Sequence, residues 1–191
     1  MLALCGCSAA GGKLLISQGN IFYSQGDYVK AIGSFTGALS QKTVTPYAEY
    51  ALGTAYLAVD EGEAALRHFL AAEQSAGERR ENRELLYRAR YNSGIVRFQQ
   101  HDYQGAADDF KRALQVQPAR TEAKHNLELC LLSIHRQSSQ TAVNTSRTGG
   151  IRENKNESRS GVLLDFMRRR EVENWKSFEW GGDEDSSTPD Y

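Results

Sequence analysis

Small and aromatic residues recur along this chain at fixed distances from three glycines, Gly19, Gly53 and Gly94. After each glycine, an alanine follows by 12 residues, a phenylalanine by 16 and a second alanine by 19. These residues are Ala31, Ala65 and Ala106, then Phe35, Phe69 and Phe110, then Ala38, Ala72 and Ala113. The first two units are offset by 34 residues, and the second and third by 41. A period of this length predicts a repeat protein in which each unit is one pair of helices.

The pattern within a unit predicts a helix, a tight turn and a second helix. Glycine inside a helix costs about 1 kcal/mol relative to alanine, so its recurrence indicates that the second helix packs against it. The alanine 12 residues later lets the two backbones approach, and the phenylalanines are expected to fill the gaps between neighbouring units. Gly26 and Asp27 supply turn chemistry between the helices of the first unit. Pro118 ends the last helix of the third unit.

Two segments fall outside the strict repeat. The residues inserted between units two and three, 79–86, contain no glycine or proline and span about two helical turns, so we expect them to lengthen the flanking helices. Residues 121–136 predict one more helix, with Leu127, Cys130, Leu131 and Ile134 at helical spacing. This helix would cap the stack, as terminal repeats require, and Cys130 is interpreted as a small core residue.

These recurring positions closely resemble the tetratricopeptide repeat (TPR) family over residues 12–45, 46–79 and 87–120. The third unit matches best, from Tyr91 and Asn92 through Ala106 and Phe110 to Pro118. The resemblance implies an all-α fold, a right-handed α-solenoid of three TPR helix pairs with a C-terminal capping helix. It also implies a non-enzymatic protein that binds a peptide or partner protein in a concave groove lined by the first helix of each unit.

The family register places ten residues in that groove, which we expect to be aromatic and apolar with a few hydrogen-bonding groups: Asn20, Tyr23, Tyr47, Tyr50, Thr54, Leu57, Arg88, Tyr91, Ile95 and Phe98. Some family members hold a chaperone's C-terminal carboxylate with lysine and asparagine at set groove positions. Asn20 and Asn92 match such positions, whereas Ile16 and Ala51 do not. A chaperone tail is therefore not predicted as the ligand.

The C-terminal third changes character. Residues 137–160 are polar with no apolar period and predict a disordered linker, and residues 181–191 predict a loose acidic end. Residues 161–180 predict a short amphipathic helix with an apolar half: Leu163, Leu164, Phe166, Met167, Trp175 and Phe178. Such a helix usually binds in a groove. It would occupy this chain's own concave face or be captured by a partner, and simple packing on the solenoid is the alternative.

Residues 1–11 contain Leu4-Cys5-Gly6-Cys7, which resembles a bacterial lipobox with Cys7 as the lipid-bearing residue. The alternative is a chance Cys-Gly-Cys at a terminus. The lipobox interpretation predicts a bacterial cell-envelope protein that is lipid-anchored and faces the periplasm; without it, a cytoplasmic location is expected. The overall domain organisation resembles that of envelope repeat proteins encoded with MoxR-type ATPases and von Willebrand A proteins, the Bat aerotolerance group.

Charge and residue chemistry narrow the function further. Lys and Arg number 23 against 24 Asp and Glu, which gives no reason to expect a nucleic-acid partner. The four histidines lack metal-ligand spacing, and no phosphate-binding loop or nucleophile motif occurs, so we predict no enzyme, cofactor or metal. Two alternative functions stay open. One is an envelope protein that binds an apolar small molecule and works with a transporter, and the other is a purely structural module that forms oligomers.

Overall fold

The computed structural model describes the backbone of residues 7–145 and the side chains of residues 11–138. Within that range the chain forms seven α-helices and no strand: α1 (Cys7–Ser24), α2 (Tyr28–Ala38), α3 (Thr45–Ala58), α4 (Gly62–Ala76), α5 (Arg83–Gln99), α6 (Tyr103–Val116) and α7 (Thr121–Thr145). Each odd-numbered helix from α1 to α5 packs on the helix that follows it. The stack continues because α2 packs on α3, α4 on α5 and α6 on α7. The predicted all-α solenoid of three helix pairs with a seventh helix as cap is confirmed.

The three repeated glycines lie under the three repeated phenylalanine rings. A Cβ atom on Gly53 would lie 2.5 Å from Cδ1 of Phe69, and Gly19 and Gly94 have the same relation to Phe35 and Phe110. All three rings are fully buried. The expected close approach at glycine is therefore present, but the atoms that require it belong to phenylalanine. Each ring lies against the glycine of its own unit and so contributes to packing within a helix pair; that the rings also fill gaps between units stays a prediction.

Small buried residues lie in the contact between each unit and the unit before it. Ala123 and Cys130 are fully buried in α7, and α6 is the main packing partner of that helix among the described residues. They therefore lie on the side of α7 that packs on the third unit, where Asn126 also bonds to Tyr91 of α5. Their equivalents in the repeat are buried as well: Ala48 and Ala55 in α3, and Ala89 and Val96 in α5. Small side chains allow the second helix of the preceding unit to approach closely.

The insert and the cap differ from the sequence-based boundaries. α4 ends at Ala76, Gly77 takes a φ of 61° and a short 3₁₀ turn forms at Arg80–Asn82 before α5 begins. Only the second half of the insert therefore lengthens a helix, because the positive φ at Gly77 breaks α4. The cap was expected to end at Arg136, with linker from residue 137, yet α7 continues to Thr145. Residues 137–145 contain no glycine or proline that would stop it.

Charged side chains join the second and third units. The Nε atom of Arg90 donates to Glu73 at 2.9 Å, and Arg112 contacts both Glu73 and Asp109. Nε of Arg97 donates to Asp109 at 2.9 Å. Arg97 stands where the other two units have Phe22 and Tyr56, and its ion pair with Asp109 uses that position for an electrostatic contact. Burial raises the pKa of the Asp109 carboxyl despite the two neighbouring arginines.

Several predicted segments lie outside the described residues. They are residues 1–6 of the lipobox-like segment, the linker from residue 146 onward, the amphipathic helix at 161–180 with its apolar half, and the acidic end at 181–191. The backbone of Cys7 lies within the described range, as the first residue of α1.

Candidate functional site: the concave face

Two equivalent hydrogen bonds join the first helices of successive units and mark the inner side of the stack. Nδ2 of Asn92 donates to the hydroxyl oxygen of Tyr50 at 3.3 Å, and Nδ2 of Asn126 donates to that of Tyr91 at 2.8 Å. The four residues occupy the same two repeat positions in successive units. At the junction between α1 and α3 those positions hold Ile16 and Ala51. The ladder of tyrosine–asparagine bonds therefore runs from α3 to α7 and omits α1.

Most of the ten predicted groove residues are packed inside the solenoid. Seven of them are buried, with 2–7% of their surface exposed: Tyr23, Tyr50, Thr54, Leu57, Tyr91, Ile95 and Phe98. The rings make specific contacts, with centroids 5.9 Å apart for Tyr50 and Phe69 and 5.5 Å apart for Tyr91 and Phe110. The expected aromatic and apolar groove wall is thus mostly core, because these side chains pack against the second helix of their own unit.

The other three predicted residues, Asn20, Tyr47 and Arg88, are partly exposed. That any of the ten contacts a partner stays a prediction. Asn92, which matches a carboxylate-clamp position, is fully buried beside Tyr50.

On the concave face, solvent-accessible polar side chains lie on the inner side of α1. Lys13, Ser17 and Ser24 are exposed and Asn20 is half-buried. Their spacing of four, three and four residues places them on one side of the helix, and we call them the α1 inner stripe. Ser17 is the repeat equivalent of Asn92, and Asn20 that of Thr54. Sequence reasoning omitted Lys13 and Ser17, although their spacing from Asn20 could have indicated them.

The amide oxygen of Asn20 is the unusual atom on this stripe. It is buried and accepts no hydrogen bond. A buried polar atom without a partner costs about 1–3 kcal/mol, so most such atoms in proteins are satisfied. Because the residue as a whole is only half-buried, a rotation of its side chain would expose this oxygen, and a donor from a bound molecule would then remove the cost. Asn20 is therefore the strongest candidate for a ligand contact on the concave face.

Arg88 has a structural role that limits what it can offer a ligand. Its Nε donates to Glu84 at 2.7 Å, and Glu84 also accepts from Gln117 at 2.6 Å and from Arg120. Burial alone would raise the pKa of the Glu84 carboxyl. The hydrogen bonds from Gln117 and Arg88, with the charges of Arg88 and Arg120, outweigh burial and hold this pKa below its usual value. The cluster ties the start of α5 to the connection between α6 and α7.

Tyr87 completes that attachment of the cap. The guanidinium of Arg120 lies 4.7 Å from the centre of its ring, and its hydroxyl donates to Glu122 at 3.0 Å. Burial, followed by the charge of Glu122 and the hydrogen bond to it, raises the pKa of the Tyr87 hydroxyl far above its usual value. Tyr87 therefore remains a neutral hydrogen-bond donor at physiological pH.

Two potentially reactive side chains in the described part of the chain, those of Cys130 and His68, are engaged in packing contacts. Cys130 is fully buried, and burial raises the pKa of its thiol to about 12. Nδ1 of His68 lies 2.7 Å from a carboxylate oxygen of Glu49, and its ring stacks on Tyr56 at 5.1 Å, which joins α3 to α4.

Between residues 11 and 138, no three His, Cys, Asp or Glu side chains cluster in a way that could hold a metal ion. No described helix is long and apolar enough to cross a membrane.

Comparisons with known proteins support the architecture. No protein-family model matches the sequence, and no curated protein sequence matches it. Among solved structures, the first TPR domain of Spaghetti (RPAP3) bound to an HSP90 peptide is 21% identical, with a TM-score of 0.58 over 66% of this chain and 94% of that one. The Sgt2 TPR domain from Aspergillus fumigatus is 22% identical, with a TM-score of 0.56 over 78% and 93%.

A third structure with this fold carries a different kind of partner. PcrH in complex with the chaperone-binding region of PopD is 17% identical, with a TM-score of 0.54 over 74% of this chain and 99% of that one. At sequence identities of 17–22%, structural similarity shows a common fold and no more. The described part of this chain therefore has the fold of a TPR domain.

Proposed function

We propose that this protein is a non-enzymatic scaffold that binds a peptide or partner protein on its concave face, at the α1 inner stripe. The observation that carries the proposal is the buried amide oxygen of Asn20, which accepts no hydrogen bond. The fold adds support, since RPAP3 and PcrH bind a peptide and a protein segment on the same architecture.

The chemistry of the stripe favours an extended polypeptide over an apolar small molecule. A backbone N–H would donate to the Asn20 oxygen. The hydroxyl of Ser24 already donates to the carbonyl of Ile21 at 2.8 Å, which leaves its oxygen able to accept from a ligand. Lys13 adds a positive charge that suits a carbonyl or carboxylate of the ligand. The large apolar side chains of the inner face belong to the core instead, which disfavours an apolar ligand.

A chaperone tail is not the proposed ligand. Of the two asparagines that match clamp positions, Asn92 is enclosed at the ladder. Ile16 and Ala51 provide no polar group at the other two positions. The partner we propose is held by hydrogen bonds along α1 rather than by its terminal carboxylate.

The proposed setting is a bacterial cell-envelope complex, with Cys7 carrying a lipid and the repeats facing the periplasm. The Leu4-Cys5-Gly6-Cys7 pattern supports this setting, as does the resemblance to the Bat group. Because α1 begins at Cys7, the lipid would be attached at the start of the helix that carries the inner stripe. A partner at the membrane surface would then meet the stripe close to the anchor.

Site-specific photo-crosslinking tests the location of binding. A photoreactive amino acid at Ser17 on the inner stripe is expected to capture a discrete partner in cells of the native host. The matched control is Lys111 on α6, which is exposed and belongs to a second helix. Capture of the same partner with equal yield from both positions would contradict binding on the concave face.

A further inference from the structure

A second side of α1 carries large apolar side chains that no described helix covers. Leu14 is 70% exposed and Ile21 is 54% exposed. The neighbouring Gln18 and Gln25, the latter directly after the last residue of α1, are exposed as well. We call these four residues the α1 outer stripe. We propose that the outer stripe binds the outer stripe of a second copy of this chain, with the two α1 helices antiparallel around a two-fold axis close to Gln18.

The repeat itself shows that these positions form helix interfaces. Leu14 and Ile21 occupy the same repeat positions as Ala48 and Ala55, Ala89 and Val96, and Ala123 and Cys130. Those six residues are buried, and the helices that carry them pack on the second helix of the preceding unit. On α1, the described helices leave these positions exposed.

The size of the side chains indicates what kind of helix fits. The internal interfaces use mainly alanine, which allows the closest approach of α2 to α3 and α4 to α5. Leu14 and Ile21 are much larger, so a helix that meets them must lie farther away and interleave its own side chains. Leu14, Gln18, Ile21 and Gln25 follow one another at spacings of four, three and four residues, which is the pattern of helices paired about 8–10 Å apart.

The outer stripe is complementary to itself. It contains no charged residue, so two copies can meet without burying like charges. An antiparallel arrangement brings Leu14 of one copy near Ile21 of the other and the two Gln18 amides near each other at the axis. It also opposes the helix dipoles and separates the two Lys13 ammonium groups, which a parallel pair would place side by side. A two-fold contact of this kind uses the same patch on both copies, as most protein dimers do.

Dimerisation would leave the concave face accessible. At 3.6 residues per turn, the outer stripe lies about 100° around α1 from the inner stripe. The inference therefore stands independently of the proposed partner binding. The patch is small, so a weak dimer with a dissociation constant of micromolar order is expected.

The test combines a crosslink with the mass of the full-length chain in solution. In a Cys5→Ser, Cys7→Ser background, Gln18→Cys is expected to form a disulfide-linked dimer under mild oxidation. Gln25→Cys is the matched control, because seven residues from the axis its two copies lie about 21 Å apart. Sedimentation analysis of the background protein is expected to show a dimer at high micromolar concentration. Leu14→Glu should reduce its association constant at least tenfold, whereas Val29→Glu, at another exposed apolar residue, should not.

Three outcomes would overturn the proposal. A background protein that stays monomeric at several hundred micromolar would do so. A dimer that Leu14→Glu leaves intact would exclude this stripe as the contact. Equal crosslinking at Gln18 and Gln25 would exclude the antiparallel arrangement. If the protein is monomeric and Leu14→Glu instead abolishes binding to anionic vesicles, the stripe contacts a lipid surface and the dimer proposal is wrong.

Discussion

Replacing Gly53 by alanine should destabilise the solenoid, whereas the same replacement at Gly33 should stabilise it. A Cβ atom on Gly53 would lie 2.5 Å from both Cδ1 and Cε1 of Phe69 and 3.1 Å from its Cγ. Ordinary carbon–carbon contacts are at least about 3.5 Å, so the ring must move by about 1 Å. Phe69 is fully buried and packs against the ring of Tyr50, which leaves it little room. At Gly33, within α2, a Cβ atom would meet no atom within 4 Å.

Both substitutions increase helix propensity, but only Gly53→Ala also creates a steric clash. Alanine gains about 1 kcal/mol over glycine in a helix interior at either site. Overpacking costs about 1–3 kcal/mol at Gly53 and nothing at Gly33. The free energy of unfolding should therefore rise by up to about 1 kcal/mol for Gly33→Ala and fall by up to about 2 kcal/mol for Gly53→Ala. At about 4 °C per kcal/mol, the melting temperatures should differ by roughly 4–12 °C.

Urea denaturation followed by helical circular dichroism measures both variants against wild type. Phe69→Leu provides a further check, because a smaller side chain leaves room for the added methyl group. The double variant Gly53→Ala, Phe69→Leu should be less destabilised than the sum of the two single variants. Equal stabilisation by alanine at Gly53 and Gly33 would refute the assignment of the repeated glycine to a close helix contact.

Three further predictions concern other parts of the molecule. The pKa of Glu84 is lowered in the folded state, so its carboxylate stabilises the fold above the unfolded pKa. This contribution is lost as the pH falls through the folded pKa. The free energy of unfolding of Glu84→Gln should therefore decrease less than that of wild type as the pH is lowered below about pH 5. Cys130, with a thiol pKa of about 12, should react with a thiol reagent at pH 8 only as fast as the protein unfolds, and reaction at the rate of a free thiol would show that it is accessible. In the native host, Cys7→Ala should move the protein from the detergent phase to the aqueous phase, and an unchanged membrane fraction would refute the lipid anchor.

The sequence predicted the fold because its signal is repeated. A glycine, two alanines and a phenylalanine recur in three units, and their packing demands are local to each helix pair. The end of α7 was harder to predict, since residues 137–145 are polar but contain nothing that terminates a helix. The break after Ala76 depends on the positive φ of Gly77, a property of one residue that no periodicity reveals.

The candidate site was predicted less well, for a physical reason. Repeat register places Tyr50, Tyr91 and Phe98 on the inner side of their helices, but it does not state how closely the helices approach. Hydrogen bonds such as that from Asn126 to Tyr91 connect residues in different units, so these contacts appear only in three dimensions. The buried oxygen of Asn20 is likewise a property of the packed structure.

The affinity of the partner captured at Ser17 for the Asn20→Leu variant tests the central claim most directly. Leucine removes an unsatisfied polar atom, so the free protein should become more stable by up to about 1–3 kcal/mol. The same change removes the acceptor that the partner requires, so the dissociation constant should rise by about tenfold to a hundredfold. Lys111→Ala, at an exposed residue of α6, should leave it unchanged. An unaltered dissociation constant for Asn20→Leu would contradict the account, because the partner would then bind without using the inner stripe of α1.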